Sequence, residues 1–529
     1  MTLTRLMVAA LVLGGALAAS PMPSLGAAEE EPMLHASLPD FQITRARLEQ
    51  GLWGKLWRSD ALASLREELS QEFTQMAEEE FDPRAIYTGL GGGRLILHGL
   101  DDHPMMNPRF ALRVDFGTAM NALWQFMGRE FDPAPLIHGA EAALTEPDGE
   151  VLYLRHGQQL SILRQGIGII ESLAPAEGAA DHDLIIHINP QLLLNFIPKD
   201  ELEDEQVQQL KKVLDLSDKM VWTLRLLDDG VSERLVTHVQ PGTMSGISVP
   251  EVDFAAVDRL PAESLMLLAF AWNTSAYKDT SWYLTREEFE RSTDLADFGL
   301  GFLQPLISPI SDLYYAIEGT VVVAVLPGEP LPAIALQLPI NDQSQAAVAQ
   351  LLAPLAQELP EVGSQIQIDA LPGMPIFLAR SQAALFITSH PTAAQSWLAG
   401  EGGALNATAA KAATAAQRDG AAINAWGFSD TPRLLQTAQN LLPLAGMWLG
   451  GGGEEMAQLQ TSLELIGQEV GTGFLLIDTL GDESRAELKS MSGTLSGFFL
   501  FGWYAFATTF SSSMPADFDN IDDWEEWED

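Results

Sequence analysis

Apolar and polar residues alternate in many short segments of this chain, and most of these segments come in pairs joined by a polar turn. VLYLRHGQQLSIL, beginning at Val151, and WTLRLLDDGVSERLVTHV, beginning at Trp222, are two examples. Alternation with a period of two is typical of strands that bury one face, and tight turns between such strands predict hairpins. The pattern therefore predicts a largely antiparallel sheet.

Other segments repeat their apolar residues every three or four positions, which predicts helices. Such helices are expected at 53–80 with an interruption, 118–130, 203–216, 343–359, 454–469 and from 286 onward. The Ala-rich segment 404–420 indicates either a solvent-exposed helix or a loose connector. Strands joined by hairpins, with helices packed on one face of the sheet, predict an α+β fold.

The same order of segments occurs twice along the chain. Residues 92–127 and residues 319–352 both read as strand, turn, strand and amphipathic helix. The hairpin from Val151 corresponds to PIFLARSQAALFI from Pro375, and the hairpin from Trp222 corresponds to GFLLIDTLGDESRAELKS from Gly473. Self-similarity of this kind predicts two tandem copies of one module. The expected boundaries are a leader at 1–28, a first α+β module at 33–248, a second at 249–497, and an aromatic segment with an acidic tail at 498–529.

Two short motifs in the second copy resemble an uncharacterised family of exported bacterial proteins, classed only as a domain of unknown function. They are LPAES at Leu260–Ser264, followed by the apolar segment LMLLAFAW, and LFITSH at Leu385–His390. The resemblance covers residues 260–480 best, because the first copy opens with LHASLPDF instead. It implies an exported protein, and it supplies no catalytic residues.

The amino-terminal segment has the features of an export signal. A single basic residue, Arg5, precedes an uninterrupted apolar stretch and the small-residue pattern ALA. An uncleaved anchor helix is the competing interpretation, but Pro21 and Pro23 would break such a helix. The sequence therefore predicts cleavage between Ala18 and Ala28 and a periplasmic or extracellular location.

Charge and cysteine content narrow the classes of function. The 529 residues include 72 acidic and 29 basic side chains, which give a net charge of −43, and there is no cysteine. A field of that sign repels phosphate backbones, so we expect no nucleic-acid partner, whereas cations are attracted. The absence of cysteine from the sequence excludes disulfides, thiol nucleophiles and cysteine-ligated metals.

One cluster has the residue types of a metal site. The segment HGLDDH places His98 and His103 on either side of Asp101 and Asp102, on a predicted hairpin turn. The corresponding segment of the second copy, AVLPGE, has no histidine, so we interpret the cluster as a polar turn and keep the metal site as the alternative. His182 and His187 have an odd spacing, which predicts opposite faces of a strand. The sequence predicts no cofactor.

The Gly-x-Ser-x-Gly motif of nucleophilic serine catalysis does not occur in the sequence. GTMSG at 242–246 and GTLSG at 493–497 place the serine one residue too late for that motif and read as repeated turns. We therefore expect a non-catalytic exported protein, a binding or envelope-associated module whose partner is an envelope protein or a cation. A hydrolase with a metal or acid/base site between the two copies is the alternative, and a C-terminally anchored envelope protein is the second alternative.

The C-terminal region carries two further features. Residues 493–510 are uncharged and rich in aromatic residues. A packed segment is favoured over membrane contact, since a span would leave Lys489 outside and the acidic tail in the cytoplasm. In the tail DFDNIDDWEEWED, apolar side chains recur every third residue and would form one side of a helix that contacts a partner. These residues are Phe518, Ile521, Trp524 and Trp527.

Overall fold

The computed structural model of the chain describes residues 33–491 with internal gaps. The longer gaps are at 101–107, 165–181, 194–216, 241–248, 279–284 and 291–306, together with several positions between 60 and 82. The shorter gaps are at 138, 147–148, 150, 288–289, 329–330, 354–356, 372–373 and 450–452. The predicted leader, the aromatic segment 493–510 and the acidic tail lie outside the described residues.

The strands form one antiparallel sheet. In the N-terminal half (residues 33–239) they are β1 (Leu34–Leu38), β2 (Gly93–Leu100), β3 (Pro108–Asp115), β4 (Asp132–Pro133), β5 (Ala142–Thr145), β6 (Val151–His156), β7 (Gln159–Arg164), β8 (Leu184–Ile188), β9 (Ser217–Leu227) and β10 (Gly230–Val239). In the C-terminal half (residues 249–491) they are β11 (Met266–Asn273), β12 (Glu318–Leu326), β13 (Ala333–Pro339), β14 (Gln365–Leu371), β15 (Met374–Arg380), β16 (Ala384–Thr388), β17 (Ala422–Ser429), β18 (Gly473–Leu480) and β19 (Glu483–Ser490).

The two halves join through their last strands. The pairing order of the N-terminal half is β4-β5-β6-β7-β3-β2-β1-β8-β9-β10. That of the C-terminal half is β14-β15-β16-β13-β12-β11-β17-β18-β19. Strand β10 pairs with β19 from Val231 opposite Ser490 to His238 opposite Glu483. At this junction a Cβ on Gly230 would lie 2.5 Å from the Ser490 carbonyl oxygen, so glycine is required for the close approach.

Helices connect and cover the strands. They are α1 (Phe41–Gln50), α2 (Leu52–Arg58), α3 (Pro83–Gly89), α4 (Met120–Glu130), α5 (Pro190–Leu193), α6 (Phe254–Val257), α7 (Ile307–Ala316), α8 (Asp342–Leu352), α9 (Pro391–Ala399), α10 (Thr408–Ala415), α11 (Thr431–Leu449) and α12 (Gly453–Glu469). This mixture of helices with a large antiparallel sheet confirms the α+β prediction. The helices predicted at 118–130 and 454–469 are present as α4 and α12. The helix predicted at 343–359 is present as α8 but ends at Leu352.

The prediction that helices cover only one face of the sheet is wrong for the C-terminal half. On β16, Leu385 packs with Val348 of α8, whereas its neighbour Phe386 belongs to the core formed with Trp397 of α9. Successive side chains of a strand point to opposite faces. Helices α8 and α9 therefore lie on opposite faces, and each covers its own apolar set.

The Ala-rich segment is neither an exposed helix nor a loose connector. It forms α10, whose Ala409, Ala410 and Ala413 are buried in the core that contains Trp426. Alanine has a high helix propensity, and its small side chain lets a helix lie close to a sheet. Low sequence complexity here reflects tight packing.

Candidate functional site

A single row of directly opposed residues crosses the sheet from β5 to β14 and defines its front face. In antiparallel strands, opposed residues project to the same side. In pairing order the row consists of Ala143, Leu154, Ser161, Arg113, Arg94, Ser37, Ile185, Thr223, Arg234, Glu487, Leu476, Trp426, Ala269, Val322, Gln337, Phe386, Ala379 and Gln365.

In the C-terminal half the front face is closed by helices. Trp426, Val322 and Phe386 are at most 1 % exposed and pack in one core with α9 and α10. The buried Gln337 of this row is hydrogen-bonded at both ends of its amide, because its Nε2 donates to the Ala256 carbonyl and its Oε1 accepts from Trp397 Nε1. This part of the front face therefore serves packing.

In the N-terminal half the same face carries polar and cationic side chains. We name the group Ser37, Arg94, Arg113, His35 and His187 the basic strip. His35 and His187 are opposed on β1 and β8, and their rings stack with centroids 5.8 Å apart and planes 23° apart. Arg94 and Arg113 are opposed on β2 and β3. Two like charges in that position repel each other unless a further group offsets the repulsion.

Two buried polar atoms of the basic strip have no hydrogen-bond partner in the described part of the chain. They are His35 Nε2 and Ser37 Oγ, and Ser37 is only 2 % exposed. Arg113 is engaged by a neutral group, since its Nε donates to Ser161 Oγ at 3.1 Å. Buried polar groups in folded proteins are normally paired, and other parts of the described chain also contain such atoms, for example Trp426 Nε1 in the core of the C-terminal half.

The pKa values of the four titratable side chains of the basic strip are all lowered. Burial lowers the pKa of His35, and the charges of His187 and Arg94 lower it further. Burial and the charge of Lys219 lower the pKa of His187. The pKa of Arg94 is lowered by burial and then by Arg113, and that of Arg113 by burial. Burial is the largest cause of each of these shifts, and the neighbouring charges that add to it are cationic.

Acidification is expected to destabilise the protein through His35 and His187. Both histidines have a folded-state pKa below the usual 6.5, so the unfolded state binds more protons as the pH falls. Their contribution to stability is complete above pH 6.5 and is lost as the pH falls through the folded-state pKa. Thermal melts in chloride buffer should show a lower Tm at about pH 5.5 than at about pH 7.5.

The control for this prediction is the double variant His35→Gln, His187→Gln. Because glutamine does not titrate, the decrease in Tm over the same pH interval should be smaller in this variant. An equal decrease in both proteins would assign the pH dependence to other groups.

A second charged cluster lies at the junction of the two halves. Asp478 is completely buried and accepts from the guanidinium groups of Arg418 and Arg485. Burial alone would lower the pKa of Arg418, but its hydrogen bonds to Asp478 and Glu483 outweigh burial and hold that pKa above its usual value. The carboxylate is thus occupied by structural ion pairs, and we interpret this cluster as structural.

The same cluster continues across the junction. Arg485 also binds Glu487, and Glu487 binds Arg234 of the opposite half at 3.2 Å. Lys489 binds Asp229 at 2.7 Å. These pairs reinforce the backbone pairing of β10 with β19.

The structure places few of the residues predicted from the sequence at a site. His98 lies in β2, where the pairing register shifts between Leu97 and Gly99, while Asp101, Asp102 and His103 lie outside the described residues. Phe518, Ile521, Trp524 and Trp527 also lie outside them. No group of three or more histidine, aspartate or glutamate side chains in the described residues could hold a metal ion.

The sequence patterns considered His187 only together with His182 and did not identify the basic strip. Its members come from β1, from the neighbouring strands β2 and β3, and from β8, and these three parts are far apart in the sequence. One signal was available: basic residues are scarce in this chain, yet Arg94 and Arg113 occur at strand positions that alternate with apolar residues. Which of these residues lie side by side depends on the order in which the strands pair, and the sequence does not show that order.

In comparisons with protein-family models, curated protein sequences and solved structures, nothing matches this chain. Among the described residues, no helix has the length and apolar character needed to cross a membrane.

Proposed function

We propose that the chain is built from two copies of one module, and that the second copy is related to the exported bacterial family of the LPAES motif. The matching strand orders of the halves support this proposal. So do equivalent hydrogen bonds at the module starts: Asn189 N donates to Met33 O and Asp430 N donates to Leu265 O, each at 2.8 Å. In this correspondence, Ser37 is equivalent to Ala269 of the second copy, Arg94 to Val322, and Arg113 to Gln337.

We further propose that the protein is a non-catalytic, exported binding protein of the periplasm or cell surface. The observation that carries this proposal is the contrast between the two front faces. The front-face row of the C-terminal half packs against its own helices in an apolar core, whereas the corresponding row of the N-terminal half includes the half-buried Arg94 and Arg113 on a chain of net charge −43. Such groups are retained against their desolvation cost when a ligand uses them.

Crosslinking provides a direct test. The mature chain would be incubated with an envelope fraction and treated with an amine-reactive crosslinker, and the crosslinked lysines would be identified by mass spectrometry. Lys219 is exposed on β9, opposite His238 on the front face of the N-terminal half, and Lys411 is exposed on α10 over the front face of the C-terminal half. Partner crosslinks are expected at Lys219 and not at Lys411.

The same preparation, analysed by native mass spectrometry, should carry a retained mass. Equal crosslinking at both lysines, or a chain that retains no ligand and crosslinks to no partner, would contradict the proposed binding function.

A further inference from the structure

We propose that the aromatic segment 493–510 of this chain docks on two exposed tryptophans of α2, at the place where the two halves meet. We name Trp53 and Trp57 the tryptophan face. This interaction within the chain goes beyond the proposed binding function and does not depend on it.

The tryptophan face is a partly exposed apolar surface. Trp53 is 38 % exposed and Trp57 is 42 % exposed. Side chains four positions apart are neighbours on one side of a helix, so the two rings form one patch. The other side of α2 is already occupied, because Leu52 and Gly54 are buried. Adjacent exposed aromatic side chains of this kind mark a contact surface.

The turn between β9 and β10 brings the start of α2 and the end of β19 to one place. A Cβ on Gly51, which precedes α2, would lie 2.8 Å from the Leu227 carbonyl oxygen. At the other end of the turn, a Cβ on Gly230 would lie 3.7 Å from Met491 Cα. The aromatic segment begins two positions after Met491, and two residues span at most about 7 Å. It therefore begins close to the tryptophan face.

The C-terminal half reaches the same turn through α12. Gly471 N, which follows α12, donates to the Asp229 carbonyl at 3.0 Å, and Lys55 of α2 binds Glu469 of α12. Helix α2 of the N-terminal half thus lies beside α12 of the C-terminal half. A segment docked on α2 at this place would hold the two halves together.

The composition of the aromatic segment matches the tryptophan face. The segment has no charged residue, and aromatic rings that pack together gain more than the burial of their area. Helix α2 is about 10 Å long, so eighteen residues are long enough to cover it. Contact with anionic lipid is opposed by the net charge of −43. The aromatic residues of the segment are Phe498, Phe499, Phe501, Trp503, Tyr504, Phe506 and Phe510.

Local accessibility is the appropriate measurement for this docking. A docked segment at the surface detaches in less urea than the core needs to unfold, so global unfolding does not report on it. The chain has no cysteine, so one introduced thiol reports on one position. Trp57→Cys places the thiol on the tryptophan face and keeps Trp53. Ile334→Cys is the matched control, because Ile334 is 65 % exposed on β13.

Each thiol would be labelled with a water-soluble maleimide in two full-length backgrounds. One has the natural segment, and the other carries Phe498→Ser, Phe499→Ser and Phe501→Ser. Loss of three apolar rings should detach the segment, so labelling at position 57 should become about tenfold faster or more. Labelling at position 334 should change less than about twofold, since the segment does not contact it.

Disulfide formation in the full-length chain tests the contact directly. Trp57→Cys would be combined in turn with Phe499→Cys, Phe501→Cys and Trp503→Cys, and the oxidised proteins would be mapped by mass spectrometry. A disulfide requires Cα atoms within about 7 Å of each other. At least one pair should form a disulfide within one chain, and none should form when Ile334→Cys replaces Trp57→Cys.

The proposal is overturned if the serine substitutions leave the labelling rate at position 57 unchanged, or if no pair forms a disulfide within one chain. Protection of position 57 that arises only when phosphatidylcholine vesicles are added would assign the segment to a membrane instead. Protection that increases with protein concentration would assign the tryptophan face to a second copy of the chain. Either of these results would also overturn the proposal.

Discussion

Replacement of Asp478 by asparagine is expected to lower the free energy of unfolding by about 3–5 kcal/mol. Asp478 is completely buried, and its carboxylate is the shared acceptor of Arg418 and Arg485. Asparagine has nearly the same shape but no charge, so the variant leaves two guanidinium groups short of their counter-charge in a desolvated place. The cost arises from this uncompensated charge, because a buried ion pair contributes little net stability but is expensive to break.

Urea denaturation followed by tryptophan fluorescence measures this effect. Glu49→Gln is the matched control, since Glu49 pairs with Arg45 on the surface of α1 and its side chain is 46 % exposed. Exposed pairs of this kind contribute about 0.2–1 kcal/mol. If the Asp478 and Glu49 variants lose similar amounts of stability, the charge of Asp478 is not needed to compensate Arg418 and Arg485, and the prediction is wrong.

The second large effect is expected from Trp397→Ala, which should cost about 3–5 kcal/mol. Trp397 of α9 is 2 % exposed and stacks on Phe386, with ring centroids 5.1 Å apart. Its Nε1 donates to Gln337 Oε1 at 2.6 Å, and the guanidinium of Arg259 lies 4.3 Å from its ring centroid. Truncation removes the packing, leaves a cavity and deprives a buried amide of its partner.

Two further variants separate these contributions. Trp397→Phe keeps an aromatic ring but lacks the N–H donor, so its cost should be about 1–3 kcal/mol. Trp57→Ala is the control, because Trp57 is 42 % exposed on α2 and its removal should change stability little. Circular dichroism in urea is the suitable measurement, since it does not depend on the tryptophan removed. Equal losses for Trp397→Ala and Trp57→Ala would contradict the assignment of Trp397 to the core.

Local patterns predicted the individual elements well where each element carries its own signal. The alternation around Val151 and Trp222 identified the hairpins β6–β7 and β9–β10, and the Gly-containing turn after Leu227 marked the bend between the last two. The helical period identified α4, α8 and α12. These signals are local because strand and helix periodicity depend on neighbouring residues.

Helix placement was harder to predict. The sequence of β16, ALFIT, is a nearly continuous apolar run. Such a run is typical of a strand whose two faces are both buried, so the sequence contained a signal for helices on both sides. The Ala-rich α10 was misread because alanine fits solvent, a connector or a close helix contact equally well. Only the position of Ala410 against the sheet, 0 % exposed, distinguishes these alternatives.

By itself, the sequence determined the strand and helix periods, the α+β class, the charge of −43 and the lack of any thiol chemistry, because each of these follows from composition or from neighbouring positions. The tertiary structure alone decided which distant residues meet. The pairing of β1 with β2 and β8 brings His35 beside Arg94 and His187, and the pairing of β10 with β19 joins the halves. Strand order is set by the packing of whole faces, so no local pattern reveals it.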